Sequence, residues 1–332
     1  MKKIFLMALA VLLVLSSCSK AKDTGSATAV LKDTNTVAVS AVVIVRDDVP
    51  EDVVYSITKN IFDNTDAIAS LHSKGYELDA DFASSVAAVP YHAGAARYFA
   101  EKGKTVASVK AGSGKGKVGR ALMFGTGGDT GTYYGFGSVL AGYITNNTPY
   151  NITAVTSGGS KANVEDLTAG DVSLAFVQSD VMSYAYNGER LFDTKLDGFS
   201  VLAALYMEQV QLVTVDSSIA SVKDLAGKTV SVGAIGSGVY FNAVDVLDAY
   251  GLSLKDIKPV YQSFGDSADS LKDGKIDAAF VVAGAPTTAV SDLATAKNVY
   301  LVNIDGSEAA SLLAGSPFYS TYVIPAGTYG GK

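Results

Sequence analysis

Residues Gly125–Gly137, with the sequence GTGGDTGTYYGFG, lie between the apolar run Ala121–Phe124 and the helix-like stretch Ser138–Ile144. A strand, a glycine-rich turn and a helix start in this order present backbone N–H groups at the helix N-terminus, where the helix dipole favours an anion. Tyr133 and Tyr134 add apolar rings with hydroxyl tips. The stretch therefore predicts either a plain structural turn or one wall of a site for a carboxylate or a phosphate.

The chain after Arg120 repeats this arrangement of an apolar run, a glycine-containing turn and a helical pattern. The further turns are Ser157–Ser160, Gly236–Gly238 and Ala283–Pro286. Strands that alternate with helices favour an α/β fold with largely parallel sheets, and ligands bind such sheets at the carboxyl ends of the strands. We therefore expect these turns to line a common binding site.

Other stretches predict the elements around these turns. Val37–Val45 is typical of a buried strand, and the acidic stretch Asp47–Asp52 predicts the start of one long helix that Gly75 ends. Val201–Leu205 and Gln211–Val215 predict two separate strands.

The composition excludes several classes of function. The 332 residues carry 26 basic and 33 acidic side chains, a net charge of −7, and this excess of negative charge argues against a nucleic-acid partner. With only His72, His92 and Cys18 as imidazole and thiol groups, a hydrolase triad or a zinc site has little support, although a carboxylate-based metal site stays open. We therefore predict a binding protein that is not an enzyme and needs no cofactor and no metal.

The first residues predict export and a lipid anchor. Met1-Lys2-Lys3 followed by the apolar run Ile4–Leu15 has the form of a secretory signal peptide. Leu15-Ser16-Ser17-Cys18 resembles a bacterial lipobox, which implies cleavage before Cys18 and attachment of a lipid to its sulfur. We predict a signal peptide at 1–17, a lipidated Cys18 with a flexible tether at 18–36, and an extracytoplasmic, membrane-anchored protein in the periplasm or on the outer cell surface.

A series of motifs resembles the TAXI family of solute receptors of TRAP transporters. In chain order these motifs are Met123–Tyr134, Ser157–Ser160 with Asn163, Phe176–Asp180, Leu205–Glu208, Asp224–Lys228, Gly236–Gly238, Gly274–Ala278 and Ala283–Pro286. The resemblance covers almost all of 120–332. It implies a two-lobed periplasmic-binding-protein fold of the second type, in which each lobe is a mainly parallel sheet flanked by helices and the ligand cleft lies between the lobes. It also implies delivery of a small solute to a TRAP permease driven by an ion gradient.

The order of the segments departs from that family. A segment resembling 35–103 follows the part ending at Ile324–Gly331 in the family, but here it comes first, so the chain resembles a circular permutant. The resulting division is a relocated segment at 37–103, a linker at 104–119, lobe 1 at 120–208, lobe 2 at 209–305 and a return toward lobe 1 at 306–332. Tyr206–Gln211 and Gly306–Ser316 are the expected hinges.

The resemblance also implies the ligand contacts. They are Gly127, Gly128, Thr130, Tyr134, Ser157, Gly158, Ser160 and Gln178 from lobe 1, and Gly236, Ser237, Gly238 and Gly284 from lobe 2. Family ligands are glutamate, glutamine or dicarboxylate-like solutes, and converging amides and hydroxyls suit a small anionic solute. Lys161, beside the second turn, either reaches the ligand or stays in solvent. A lipid-anchored sensor that signals to a membrane partner is the alternative to transport, because the fold alone does not separate the two.

Overall fold

The computed structural model describes residues 32–110 and 119–330. The predicted signal peptide, Cys18, most of the tether and part of the linker lie outside the described residues. The strands are β1 Thr34–Arg46, β2 Tyr91–His92, β3 Val109–Lys110, β4 Ala121–Gly125, β5 Asn151–Val155, β6 Leu174–Gln178, β7 Phe199–Thr214, β8 Thr229–Ser231, β9 Lys258–Val260, β10 Ala278–Ala283, β11 Tyr300–Val302 and β12 Ser320–Ile324.

Helices flank these strands throughout the described residues. They are α1 Glu51–Phe62, α2 Thr65–Leu71, α3 Ala80–Ala83, α4 Ala93–Glu101, α5 Thr132–Asn147, α6 Ser160–Ala169, α7 Ser179–Asn187, α8 Val239–Ala249, α9 Phe264–Lys272, α10 Thr288–Ala296 and α11 Gly306–Gly315. Short 3-10 helices lie at Ser73–Glu77 and Val222–Leu225.

Two long strands, β1 and β7, run through both lobes. The first part of β1, with Val37 and Val39, belongs to the core of lobe 2, and its second part, Ala41–Val45, belongs to the core of lobe 1. In β7 the order is reversed, because Tyr206 lies in the core of lobe 1 and Val210 in that of lobe 2. The main path of the sheet is β5-β4-β6-β1-β7-β10-β8-β9. The two lobes are therefore joined through two adjacent strands.

Each lobe has its own buried core. In lobe 2 the side chains of β10 alternate, so that Phe280 packs on one face of the sheet and Val281 on the other. A strand with both faces covered is a near-continuous apolar run, and this explains the sequence AAFVVA at Ala278–Ala283. The predicted two-lobed α/β fold is confirmed.

The sheets are mixed, which corrects the expectation of largely parallel sheets. The outer pairs β4–β5, β4–β6, β8–β9 and β8–β10 are parallel, as helical crossovers require. However, β1 is antiparallel to both β6 and β7, and β10 is antiparallel to β7. β1 and β7 each enter a lobe from the other lobe, so no crossover helix within that lobe fixes their direction.

Several predicted elements have different bounds. The long helix predicted after Asp47 is divided into α1 and α2, because the Asn64 side chain donates to the carbonyl oxygen of Asn60 at 2.8 Å and so competes with the helical hydrogen bonds. The two strands predicted at Val201–Leu205 and Gln211–Val215 are one strand, β7.

The domain limits also differ in places. Thr34 already belongs to β1, inside the predicted tether, and Val109–Lys110 form β3 inside the predicted linker. The segment predicted to return toward lobe 1 packs mainly in lobe 2, because Ala309 and Tyr319 belong to a lobe 2 core and β12 pairs with the first part of β1. One expected hinge, Gly306–Ser316, is therefore largely helix α11 within lobe 2, whereas Tyr206–Gln211 is the point at which β7 passes between the lobes.

Candidate functional site

A cavity of about 80 Å³ lies between the lobes. Its lining residues are Gly127, Gly128, Thr132, Tyr133, Ser157, Gly158, Gly159, Ser160, Gln178 and Glu208 on the lobe 1 side, and Ala234, Ser237, Gly238, Val239, Ser263, Phe264, Val282 and Ala283 on the lobe 2 side. At about 10–15 Å³ for each water by this type of measure, the volume corresponds to roughly five to eight waters. The cavity therefore suits a small solute.

The lobes are in contact around this cavity. The backbone N–H of Ala162 in lobe 1 donates to the carbonyl oxygen of Gly236 in lobe 2 at 3.0 Å. The Thr132 hydroxyl in lobe 1 donates to the carbonyl oxygen of Gly284 at 2.8 Å. The structure therefore represents a closed arrangement of the two lobes.

Five helices begin at the cavity. The N-termini of α5, α6 and α7 come from lobe 1, and those of α8 and α9 come from lobe 2. Each N-terminus carries a partial positive charge of roughly half a unit and N–H groups without intrahelical partners. Converging helix N-termini in a closed cavity favour the binding of an anion.

Eight predicted site residues line the cavity, and the structure brings them together from both lobes. They are Gly127, Gly128, Ser157, Gly158, Ser160, Gln178, Ser237 and Gly238. The family resemblance implied these contacts, and the glycine- and serine-containing turns at the strand ends agree with it. The carboxyl ends of β4, β5, β6 and β8 meet at this cleft, and the turns that follow these strands meet with them.

The other four predicted residues do not line the cavity. Thr130 and Gly284 make contacts between the lobes, since the carbonyl oxygen of Thr130 accepts from the N–H of Ala289 at 3.3 Å. Gly236 accepts the hydrogen bond from Ala162 described above. Tyr134 points away because α5 begins at Thr132, earlier than predicted, and successive helical side chains are about 100° apart. Tyr133 occupies the position expected of Tyr134.

Sequence reasoning missed the ionisable group of the site, Glu208. Its side chain is buried, with 2% of its surface exposed. Tyr133 Oη donates to Glu208 Oε2 at 2.6 Å, and the Tyr133 ring stacks on Phe176 with a centroid distance of 4.6 Å. Burial raises the pKa of Glu208 to about 8. One signal in the sequence could have identified it. Glu208 is a single acidic residue within the apolar sequence of β7, and it ends the motif Leu205–Glu208, to which the resemblance assigned no ligand contact.

Two buried polar atoms at the cavity have no hydrogen-bond partner among the described residues. They are Oε1 of Gln178 and Oγ of Ser237, one from each lobe. Buried polar atoms are almost always paired in native proteins, so these two atoms are suited to contact a solute.

A second polar group of residues joins the lobes beside the cavity, and we call it the interlobe cluster. The Asn242 amide nitrogen of lobe 2 donates to Asp180 Oδ2 of lobe 1 at 3.0 Å and to Tyr319 Oη at 2.8 Å. Tyr319 Oη donates to Asp245 at 3.0 Å, and Arg190 of lobe 1 pairs with Asp245 at 2.7 Å. Burial raises the pKa of Asp180 to about 7. The interlobe cluster therefore adds side-chain contacts to the closed arrangement.

The remaining candidates have structural contacts. His92 is buried, its Nε2 lies 3.0 Å from the carbonyl oxygen of Val49, and its Nδ1 accepts from the N–H of Gly94 at 3.2 Å. The ring of His72 packs on Phe136, and Lys161 pairs with Glu165. Among the described residues, no group of three or more His, Cys, Asp or Glu side chains could hold a metal ion. None of the described helices has the length and apolar character needed to cross a membrane.

The fold and the cavity define a two-lobed α/β protein with a closed cavity between its lobes. The chain belongs to the NMT1-like family, whose model matches residues 21–103 and 124–332. The interval between the two matched parts includes the predicted linker.

Several solved structures are similar to the chain at low sequence identity. One is the alkanesulfonate-binding protein SsuA from Xanthomonas axonopodis pv. citri bound to MOPS, with 20% identity and a TM-score of 0.39 over 56% of this chain and 61% of that chain. The periplasmic aliphatic sulphonate binding protein SsuA from Escherichia coli has 18% identity and a TM-score of 0.39 over 64% of this chain and 63% of that chain. A putative L-cystine ABC transporter from Listeria monocytogenes has 20% identity and a TM-score of 0.38 over 59% of this chain and 89% of that chain. The chain thus spans a little over three fifths of the two sulfonate-binding proteins.

Proposed function

We propose that this protein is an extracytoplasmic receptor that captures a small carboxylate solute between its lobes and catalyses no reaction. The observation that carries this proposal is the convergence of five helix N-termini on one closed cavity. Among the described residues that line the cavity, none is Lys or Arg, so the backbone supplies the positive potential. The unpaired oxygens of Gln178 and Ser237 add side-chain contacts from both lobes.

Closure of the lobes around the solute is the proposed working motion. A solute that contacts both walls binds the closed form better than the open form and shifts the population toward it. The hinges are the segments of β1 and β7 that pass between the lobes, near Ser40 and Tyr206–Gln211.

Delivery of the solute to the membrane subunits of a TRAP-type permease is the finer part of the proposal. Its support is the resemblance of the turn motifs and of Leu205–Glu208 to the TAXI receptors, together with the lipobox-like sequence ending at Cys18. In this role a lipid on Cys18 holds the receptor at the membrane, and the solute is a glutamate-, glutamine- or dicarboxylate-like molecule.

We also propose that the chain is a circular permutant of such a receptor. The side chain of Asp33 accepts from the N–H of Ala326 at 2.9 Å, and Thr34 pairs with Ile324 in the β1–β12 ladder. The ends that the usual order joins are therefore adjacent. A reordered chain, in which 119–330 is followed by 32–110 through a short turn, should fold with unchanged circular dichroism and solute affinity. An unfolded product would contradict this proposal.

The function is tested on the purified mature receptor. Small molecules released by denaturation are identified by mass spectrometry, and calorimetric titration follows with L-glutamate, L-glutamine and succinate. We expect one bound carboxylate per chain and a smaller radius of gyration in the complex. If only uncharged sugars or lipids are released and none of the three probes binds, the proposed function is wrong.

A further inference from the structure

Among the described residues that line the cavity, Glu208 is the only acidic or basic one. An ionised carboxylate there would repel the carboxylate of a solute, and the repulsion would be strong because the closed cavity excludes water. The helix N-termini therefore favour an anion in the cavity, whereas an ionised Glu208 disfavours one. This conflict disappears if Glu208 carries a proton.

The neighbours of Glu208 leave room for that proton. From α5, Tyr133 Oη donates to Oε2, whereas Oε1 has no hydrogen-bond partner among the described residues. Because Glu208 lines the cavity, Oε1 is available to a solute. A neutral carboxylic acid accepts through one oxygen and donates through the other, which fits this division of contacts.

The charged and titratable groups around Glu208 do not stabilise its ionised form by direct pairing. Lys74, on the 3-10 helix Ser73–Glu77, has its ammonium group 2.5 Å from Glu77 and above the ring of Tyr206. Asp180, at the start of α7, is a second buried carboxyl group whose charge disfavours ionisation of Glu208. Tyr206, on the same strand, has a buried hydroxyl without a hydrogen-bond partner in the part of the chain that the structure describes. No cation among the described residues forms an ion pair with Glu208.

We propose that the receptor binds its carboxylate solute together with one proton, which Oε1 of Glu208 holds and donates as a hydrogen bond to a carboxylate oxygen of the solute. This inference rests on the proposed function. The proton comes from solvent when the lobes close, and it returns to solvent when they open. No covalent bond other than the O–H bond of Glu208 forms or breaks.

The proposal fixes the sign of the pH dependence. In the closed form burial raises the pKa of Glu208 to about 8, whereas an open form that admits water to Glu208 would bring the pKa back toward the ordinary value of 4.5. Between these values the complex holds one proton more than the free receptor and free solute. Affinity for the solute therefore falls as pH rises, by up to about tenfold per pH unit.

Calorimetry on the mature receptor tests this inference with L-glutamate, whose charge is constant between about pH 6 and pH 8. Titrations in two buffers of different ionisation enthalpy give the number of protons taken up, and we expect about one near pH 7. In E208Q the amide can still accept from Tyr133 and donate to the solute. We expect this variant to bind L-glutamate with an affinity that is independent of pH and without proton uptake.

E101Q is the matched control, because Glu101 accepts a hydrogen bond from Tyr55 at 2.9 Å outside the cavity lining, and this variant should keep the pH dependence of the wild type. Proton uptake by the wild type remains a test even if E208Q fails to fold. If the affinity of the wild type rises with pH or does not depend on pH, the inference about the proton is wrong, while the proposed function is unaffected. Loss of binding in a folded E208Q would also overturn it, because Glu208 would then be an ionised partner of a cationic group. If no carboxylate probe binds the wild type at any pH, the proposed function fails as well.

Discussion

The lobe 1 wall of the cavity is mainly polar, whereas the lobe 2 wall is mainly apolar. Lobe 1 contributes hydroxyl groups, the amide of Gln178 and the carboxyl group of Glu208. Lobe 2 contributes the side chains of Val239, Phe264 and Val282, with few polar groups among them. Under the proposed function, lobe 1 would select the solute by hydrogen bonding, and lobe 2 would cover it and exclude water. Exclusion of water strengthens every electrostatic contact that lobe 1 makes.

The largest expected effect comes from the closest approach of the two walls, at Gly238. A Cβ atom at Gly238 would lie 1.8 Å from Gln178 Oε1 and 2.9 Å from Ser160 Oγ, so G238A prevents closure in the observed geometry. We expect solute affinity to fall by about a hundredfold, because a Cβ atom this close to its neighbours brings the strain of overpacking near the upper end of its usual range of about 1–3 kcal/mol. Calorimetry measures the affinity, and small-angle scattering measures closure.

G142A is the matched control for this prediction. Gly142 is an exposed glycine of α5, and a Cβ atom there meets nothing within 4 Å. This variant should bind like the wild type. If G238A also closes and binds normally, the two walls do not meet as described.

A second pair of variants compares the two walls directly. Gln178→Ala removes a polar contact of the lobe 1 wall, and Ser237→Ala removes one of the lobe 2 wall. We expect Gln178→Ala to weaken binding by roughly 1–3 kcal/mol and Ser237→Ala by roughly 0.5–1.5 kcal/mol, since the first also leaves solute groups unpaired in the more polar wall. Calorimetry gives the dissociation constants of both variants. If Ser237→Ala loses more affinity than Gln178→Ala, the lobe 2 wall makes the stronger polar contacts with the solute. Gln262→Ala, outside the cavity lining, is the control for loss of a glutamine side chain.

The smallest expected effect concerns the interlobe cluster and is a change in stability with pH. Burial raises the pKa of Asp180 from the ordinary value of 3.8 to about 7, so the folded protein holds a proton that the unfolded chain releases. The contribution of Asp180 to stability therefore falls as pH rises between these values. D180N removes this loss, so its free energy of unfolding relative to the wild type should increase by on the order of 1 kcal/mol between about pH 5 and pH 6.

The test compares the stability of D180N with that of the wild type at each pH, because other groups titrate in the same range and contribute to both proteins. Burial lowers the pKa of His72 and of His92, and each of these groups therefore makes stability rise with pH. Both histidines are present in both proteins. A constant difference in melting temperature across this pH range would mean that Asp180 is not held neutral in the folded protein.

The cavity-lining residues that could be predicted from the sequence are those in turns between a strand and a helix. Ser157 and Ser237 follow strands and precede helices, and strand ends collect at one edge of an α/β sheet. Glu208 lies inside β7 instead, and it reaches the cavity only because β7 passes between the lobes at that point. Such a position depends on how the two lobes are arranged, and no local pattern records that arrangement.

The positions of Tyr133 and Phe264 in the cavity were also not predictable from the sequence. The choice between Tyr133 and Tyr134 depends on the residue at which α5 begins, and helix boundaries are poorly determined by sequence patterns. Phe264 lines the cavity because α9 begins there and its N-terminus is directed at the cleft. The general fold follows from the alternation of apolar runs and helical patterns, which persists over the whole chain after Arg120.

The adjacent strands β1 and β7 restrict how the lobes can move. In the described residues the chain passes between the lobes only along these two strands, which are hydrogen-bonded to each other as a ribbon. A two-stranded ribbon bends and twists more easily than it stretches, so the relative motion of the lobes is close to a rotation about one axis. The side chains of Ile235 in lobe 2 and Leu191 in lobe 1 are exposed. With one fluorophore attached at each of these two positions, the distance between the fluorophores would then report the full extent of lobe opening.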